Sequence, residues 1–209
     1  MKPSERFEEL TGKTGFYNIQ AISNMPSIMR HGILSHERAR RIEHISIALE
    51  EVQNRRERVR IPDGLMLHQY ASLYFSSWNP MLSRRRSQNE EICILMVKDS
   101  VLDLEDVVVT DGNASTDYVV FYSALTGLER LDFDLIYARS WTDEDPVRYR
   151  YKKSVKCAEV LIPDVIPYTY IICAAVVSED AAQWLRQTGF DRKILVKPEA
   201  FFKEKSNGC

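Results

Sequence analysis

The 209 residues contain no apolar run near the roughly 20 residues that a bilayer-crossing helix needs; the longest, residues 171–177, is strand-sized. The opening MKPSERFEEL is polar and lacks the apolar core of a signal peptide, so a cytoplasmic protein with no membrane partner is expected. Cysteine is sparse: Cys93, Cys157, Cys173 and Cys209 stand far apart with no CxxC spacing. That argues against a zinc cage or a disulfide scaffold and for reduced thiols. The histidines, His31, His36, His44 and His68, form no HExxH or paired metal spacing, so no metal is expected. No GxGxxG follows a strand pattern and no P-loop motif occurs, so a dinucleotide has to be held by other means. Net charge is −2, which excludes a polycation overall.

What is present suits one mixed domain over residues 1–209, 44% hydrophobic and 28% charged. The cations are clustered, most densely in RYRYKKSVK, residues 148–156, where tyrosines interleave with basic side chains. Cations suit phosphates and flat aromatic faces suit unpaired bases, whereas a solvated surface run is the plainer reading.

GFYNIQ reads as a first strand. SNMPSIMRHG reads as a helix capped by Ser23 or Asn24 and stopped by Gly32. Ile45, Ala48, Leu49 and Val52 sit at helical spacing and predict a helix over 45–58. Strands are expected at 67–76, 91–98 and 106–110, and a helix near 116–126 after the turn TDGNAS. A polar stretch leads into the strand CAEVLI. ICAAVVS, a helix capped by Ser178 and ended by Gly189, and KILVK close the pattern. The order is irregular and strands outnumber long helices. The expected class is α+β, with mainly antiparallel, split or paired sheets and peripheral helices.

Four blocks resemble the DarT family of bacterial DNA ADP-ribosyltransferase toxins, in the family's order. They are FYNIQAISNMPSIMRHGILS (16–35), SIALEEVQNRR (46–56), LHQYASLYFSSWNPML (67–82) and KCAEVLI (156–162). The first strand departs from the pattern at two positions: where the family carries histidine and then threonine, this chain has Asn18 and Gln20. An amide can hydrogen-bond a ribose hydroxyl or a carboxamide but cannot titrate as imidazole does.

The resemblance implies an ADP-ribosyltransferase fold that consumes NAD in a cleft and modifies a base of single-stranded DNA. Thymine is the favoured base and guanine the second. It also implies a macrodomain antitoxin of the DarG kind as partner. It places the NAD site on Asn18, Gln20, Gly32, Leu34, Ser46, Arg56, Tyr70 and Tyr74, with Phe75 in the core. A substrate-gripping loop maps to residues 141–157, with Arg148, Arg150, Tyr151, Lys152, Lys153 and Lys156 as DNA contacts. The catalytic residues it implies are Glu159 and Arg56.

Cleaving the nicotinamide–ribose bond builds positive charge on the sugar, and a partly desolvated carboxylate stabilises that charge selectively. Glu159 heads an apolar strand, where alternation can turn it into a cleft; the plainer reading pairs it with Lys153 or Lys156 on a strand edge. His68 is expected to make a structural hydrogen bond, and Asp111, Asn113, Ser115 and Thr116 to form a turn and helix cap. A metal-dependent nuclease built on Glu91, Lys98 and Asp99 and a non-catalytic single-strand binder are the rival readings, with a protein-modifying transferase as a third.

Overall fold

The computed structural model describes residues 1–47 and 50–203; Ala48, Leu49 and Cys209 lie outside the described residues. Among the described residues there are ten strands: β1 (Gly15–Ala21), β2 (Ile33–Leu34), β3 (Tyr70–Tyr74), β4 (Ile92–Lys98), β5 (Val108–Thr110), β6 (Phe121–Ser123), β7 (Glu159–Pro163), β8 (Val165–Ile166), β9 (Ile171–Val176) and β10 (Lys193–Val196). Eight form one sheet in the order β10-β9-β4-β1-β3-β7-β5-β6, and β2 pairs with β8 in a separate ribbon. All the pairings are antiparallel except β9 with β10, which the helix Glu179–Gln187 joins as a parallel pair requires.

The sheet is nearly divided. β1 runs against β4 through a register from Gly15↔Lys98 to Ala21↔Ile92, and β3 against β7 from Tyr70↔Pro163 to Tyr74↔Glu159. Between β1 and β3 the register holds a single pair, Tyr17↔Tyr74. Two four-stranded halves therefore meet at one point and part beyond it, giving the expected split without breaking the sheet in two.

Alternation along β1 and β3 sorts the aromatics. Phe16 and Phe75 are fully buried on one face, where Phe7 from the helix Pro3–Thr11 packs 4.7 Å from Phe16 and 5.9 Å from Phe75 between ring centroids. Such pairs contribute beyond their buried area. Tyr17 and Tyr74, one step along each strand, face the other way. Phe75 is thus in the core as expected.

Several local expectations hold. Met25–His31 is helical and ends at Gly32, whose φ is +79°; Ser178 Oγ accepts the Ala181 N–H at 3.1 Å and caps its helix. Others need correction. The helix expected over 45–58 spans only Glu50–Arg56 among the described residues. Asn24 makes no side-chain cap bond: its side chain takes the Ile45 N–H at 2.9 Å and donates to the Ile45 carbonyl at 2.8 Å, tethering that residue. Residues 116–120 are not helical, because Phe121 and Tyr122 pair with Thr110 and Val109 as β6, leaving only Ala124–Leu128 for the helix. Cross-strand pairing of aromatics outweighs local helix tendency there. The loop expected over 141–157 contains a helix, Pro146–Val155, with Asp145 Oδ1 accepting the Val147 N–H at 2.7 Å. Asp followed by Pro is a helix-start signal, and it was readable in the sequence.

The resemblance implies Gly32 in the NAD site; in the structure it has a backbone role in the β2–β8 ribbon. A Cβ on Gly32 would stand 2.3 Å from the Ile166 carbonyl oxygen, and its backbone angles suit glycine alone. Gly32→Ala should lower unfolding free energy by about 2–5 kcal/mol from backbone strain and overpacking. Urea unfolding checks this, and a midpoint equal to the wild type would contradict it.

Candidate active site

Below the parting of the two sheet halves lies a cavity of about 590 Å³, within the range of small-molecule and cofactor sites. Its walls are β1, β3, the helix Glu50–Arg56 and the inner side of the helix Pro146–Val155, and Glu159 contributes from the first position of β7.

Glu159 is only 2% exposed. A buried carboxylate needs a counter-charge and hydrogen-bond donors, and both are supplied. Arg56 Nη1 donates to Oε1 at 2.9 Å and Nη2 to Oε2 at 3.0 Å, a two-pronged fork. Arg56 Nη2 also donates to Ser72 Oγ at 2.7 Å, and the Ala114 backbone N–H reaches Glu159 Oε1 at 3.1 Å. Burial alone lowers the Arg56 pKa, but the charge and hydrogen bonds of Glu159 outweigh it, and the net direction is upward. The guanidinium is therefore a fixed cation and not a proton carrier. Glu159 pairs with Arg56, not with Lys153 or Lys156. Tyr74 lies directly across the β3–β7 pairing from Glu159. Burial, reinforced by the Glu159 charge, raises its phenol pKa well above the usual value, so it stays a neutral hydroxyl.

Of the residues assigned to NAD, Asn18, Gln20, Leu34, Ser46, Arg56, Tyr70 and Tyr74 line the cavity and Gly32 does not. Tyr70 is 4% exposed and packs among Ile61, Leu67 and Leu161, with its hydroxyl accepting the Leu65 N–H. It is chiefly a core residue that touches the cavity, since strand alternation places it on the Tyr74 face two pleat repeats away. Asn18 Nδ2 donates to the Ser72 carbonyl at 3.0 Å, bridging the gap where β1 and β3 no longer pair. That bond fixes the amide orientation and leaves Oδ1 buried without a partner among the described residues.

The assigned DNA contacts divide. Arg150 and Lys153 line the cavity, together with Ser154 on the same helical stripe and Cys157 just past the helix. Arg148 and Tyr151 are exposed outside it. Lys152 is tied to Asp143 at 2.8 Å. Lys156 is a clear correction: it is 1% exposed, with Nζ donating to the Ile136 and Ala138 carbonyls at 2.6 and 2.7 Å. Burial pushes its pKa down to about 8. It secures the approach to β7 and touches no solvent-facing groove.

The turn TDGNAS is not a helix cap. Asn113 Oδ1 accepts the Ser115 N–H, and Asn113 and Thr116 reach the cavity wall. His68 makes the structural hydrogen bond expected, to Gln53 Oε1 at 3.1 Å, and its ring packs 4.2 Å from that of His36. Glu91, Lys98 and Asp99, the nuclease candidates, contribute nothing to the cavity lining among the described residues. Reading the sequence missed Ser72, His36 and the Ala114 amide. Ser72 was findable, two residues from both Tyr70 and Tyr74 on one strand face; a backbone N–H leaves no sequence signal.

A split, mostly antiparallel sheet with a cofactor-sized cleft at the split and a forked carboxylate on the adjoining strand defines an ADP-ribosyltransferase-like protein. The family described as ssDNA thymidine ADP-ribosyltransferase, DarT, matches residues 17–202, and the chain belongs to it. A DNA ADP-ribosyl transferase–DNA ADP-ribosyl glycohydrolase fusion protein of Thermosipho africanus is 31% identical over 209 residues, covering 94% of this chain. The match spans 50% of that relative, so this chain corresponds to about half of its length. A DNA ADP-ribosyl transferase of Thermus sp. (strain 2.9) is 30% identical over 178 residues, 79% of this chain and 82% of that protein. The structure of Thermus sp. 2.9 DarT in complex with ADP-ribosylated ssDNA has a TM-score of 0.76 at 27% identity, covering 90% of this chain and 96% of that one. The same protein in complex with NAD+ gives 0.73 at 26% identity, over 90% and 98%.

The fork predicts a strong coupling. Arg56→Ala leaves a buried carboxylate unpaired and should cost about 3–5 kcal/mol of stability. In a double-mutant cycle measured by urea unfolding, Arg56→Ala with Glu159→Ala should cost much less than the sum of the single changes; additive losses would contradict it. The imidazoles predict a pH dependence. Burial and then the neighbouring cations lower His36 below its usual value, and burial, His36 and Arg56 push His68 down to about 4. The unfolded chain therefore binds protons first, so stability should fall as pH drops from about 6.5 towards 4. Melting temperatures across that window check it, with His68→Gln expected to flatten the decline.

Proposed function

We propose that the chain is an NAD-dependent ADP-ribosyltransferase that modifies thymine in single-stranded DNA and releases nicotinamide, its transferase domain occupying residues 1–209. The observation that carries this reading is the buried Glu159, held in a fork by Arg56 at the wall of an NAD-sized cavity. The family description and the relatives bound to NAD+ and to ADP-ribosylated ssDNA support substrate and acceptor.

The chemistry follows from the charges. As the bond between the nicotinamide nitrogen and the ribose C1′ breaks, its electron pair leaves with nicotinamide and positive charge develops on the sugar. Glu159 stabilises that charge across a short, poorly screened distance. A base nitrogen attacks C1′ and gives up its proton, for which the Glu159 carboxylate is the acceptor. Arg56 keeps the carboxylate aimed and presents a donor towards a base carbonyl. Tyr74 and Asn18 lie where the nicotinamide ribose would be held, with Asn18 Oδ1 free to accept a hydrogen bond. Arg150 and Lys153, on the cavity side of their helix, are the cations placed to meet a phosphate of the incoming strand. An unpaired strand suits the site, because the base edge has to enter the cleft.

Guanine is the second acceptor considered. The Thermosipho africanus relative is a fusion with a glycohydrolase, which supports a DarG-like antitoxin as partner of this chain. No described helix is long and apolar enough to cross a membrane; a cytoplasmic site of action is part of the same reading.

Incubation with NAD and short single strands each lacking one base, read by mass spectrometry, tests the proposal. One ADP-ribosyl adduct is expected on every strand that contains thymine and on none without it. Adducts that follow guanine would move the acceptor, absence from all strands would overturn DNA modification, and full activity in Glu159→Ala would overturn the mechanism.

A further inference from the structure

The Arg56 fork treats the two oxygens of Glu159 alike, but the rest of the protein does not. Oε1 accepts from Arg56 Nη1 at 2.9 Å and from the Ala114 N–H at 3.1 Å. Oε2 accepts from Arg56 Nη2 at 3.0 Å, and no other hydrogen bond to it exists among the described residues. A carboxylate oxygen offers about two acceptor positions, so Oε1 is filled and Oε2 keeps one open.

The Ala114 amide is held in place by more than its own turn. Thr110, at the end of β5 and fully buried, accepts the Glu159 backbone N–H with Oγ1 at 2.9 Å. Its hydroxyl proton goes on to the Gly112 carbonyl at 2.7 Å. One side chain thus fixes the Glu159 main chain and the 110–116 loop to each other. At the other end, Ser154 Oγ accepts the Asn113 N–H at 3.2 Å from the helix Pro146–Val155. The loop and that helix are in close contact, since a Cβ on Gly112 would fall 2.7 Å from Ser154 Oγ. Asn113 Oδ1 then accepts from both the N–H and the hydroxyl of Ser115, at 3.0 and 2.9 Å, which closes the turn around Ala114.

We infer that the 110–116 loop, held by Thr110 and Ser154, is a positioning element that fixes Glu159 through Oε1 and makes Oε2 the oxygen that meets the substrate. The inference rests on the catalytic reading of Glu159. Thr110 and Ser154 act through Glu159 and touch no reacting atom. Because the clamp is a backbone amide, it does not titrate. A donor from the substrate, whether a ribose hydroxyl or the base proton, goes to Oε2.

The test compares Thr110→Val, Thr110→Ser and Ser154→Ala with the wild type, using NAD and a thymine-containing single strand. Thr110→Val and Ser154→Ala should lower kcat roughly 10- to 100-fold, as sub-ångström misplacement of a catalytic group does. The KM for NAD should stay near the wild-type value, because the loss falls on the transition state. Thr110→Ser retains the hydroxyl and should restore kcat, which a purely packing role for the threonine methyl would not. Thermal melts show that each variant is folded at the assay temperature, and Ser154→Ala keeps the test open if Thr110→Val does not fold. Wild-type kcat in folded Ser154→Ala and Thr110→Val would overturn the inference, as would equal losses in Thr110→Ser and Thr110→Val. No adduct from the wild type would overturn the transferase reading and this inference with it, whereas a wild-type adduct with undiminished variants counts against the loop alone.

Discussion

A carboxylate with 2% of its surface exposed has to be paired, and its partner here is a guanidinium 103 residues earlier in the chain. Desolvating either group alone would be costly, and only their mutual attraction and shared hydrogen bonds make the burial tolerable. The surrounding architecture serves that fork. β7 presents Glu159, the helix Glu50–Arg56 delivers Arg56 from its last residue, and Ser72 on the intervening β3 takes the remaining proton of Nη2. Gln53, one turn earlier on that helix, meets His68, so the helix that carries Arg56 is also hydrogen-bonded to the entry of β3.

The parting of the sheet makes room for the fork to act. Had β1 and β3 paired along their length, backbone hydrogen bonds would have closed the space beside Tyr74. They pair only at Tyr17↔Tyr74, and Asn18 satisfies the freed Ser72 carbonyl with its side chain. The opening therefore costs little in lost hydrogen bonds. It leaves an acceptor oxygen, Asn18 Oδ1, at the cavity wall. Asparagine fits this position because it can bridge and accept at once; histidine, the family's usual residue, would meet the same gap with a titrating ring.

The basic stretch over 148–156 shows how one composition serves different ends. Its helical form sends Arg150 and Lys153 to the cavity and Arg148 and Tyr151 to solvent. Lys152 reaches back to Asp143 and so steadies the start of its own helix. Lys156, just past the helix, is buried and holds the carbonyls of Ile136 and Ala138 close to the head of β7. Charge density alone made these residues equivalent; helical periodicity and burial separate them.

Local rules in the sequence determined much of this protein. Short apolar and aromatic segments marked β1, β7 and β9, the Ser178 cap and Gly189 bounded the helix between β9 and β10, and four ordered motifs singled out Glu159 and Arg56. Where local preference was weak, as at 116–126, strand pairing with β5 decided the outcome instead. Tertiary structure alone decided that Arg56 forks onto Glu159, that the Ala114 amide fills Oε1, that Gly32 supports the β2–β8 ribbon, and that Lys156 is interior. The reason is range. Propensity, capping and periodicity act over a few residues, whereas these contacts join positions 18 to more than 100 residues apart, and only the order of strands in the sheet brings them together.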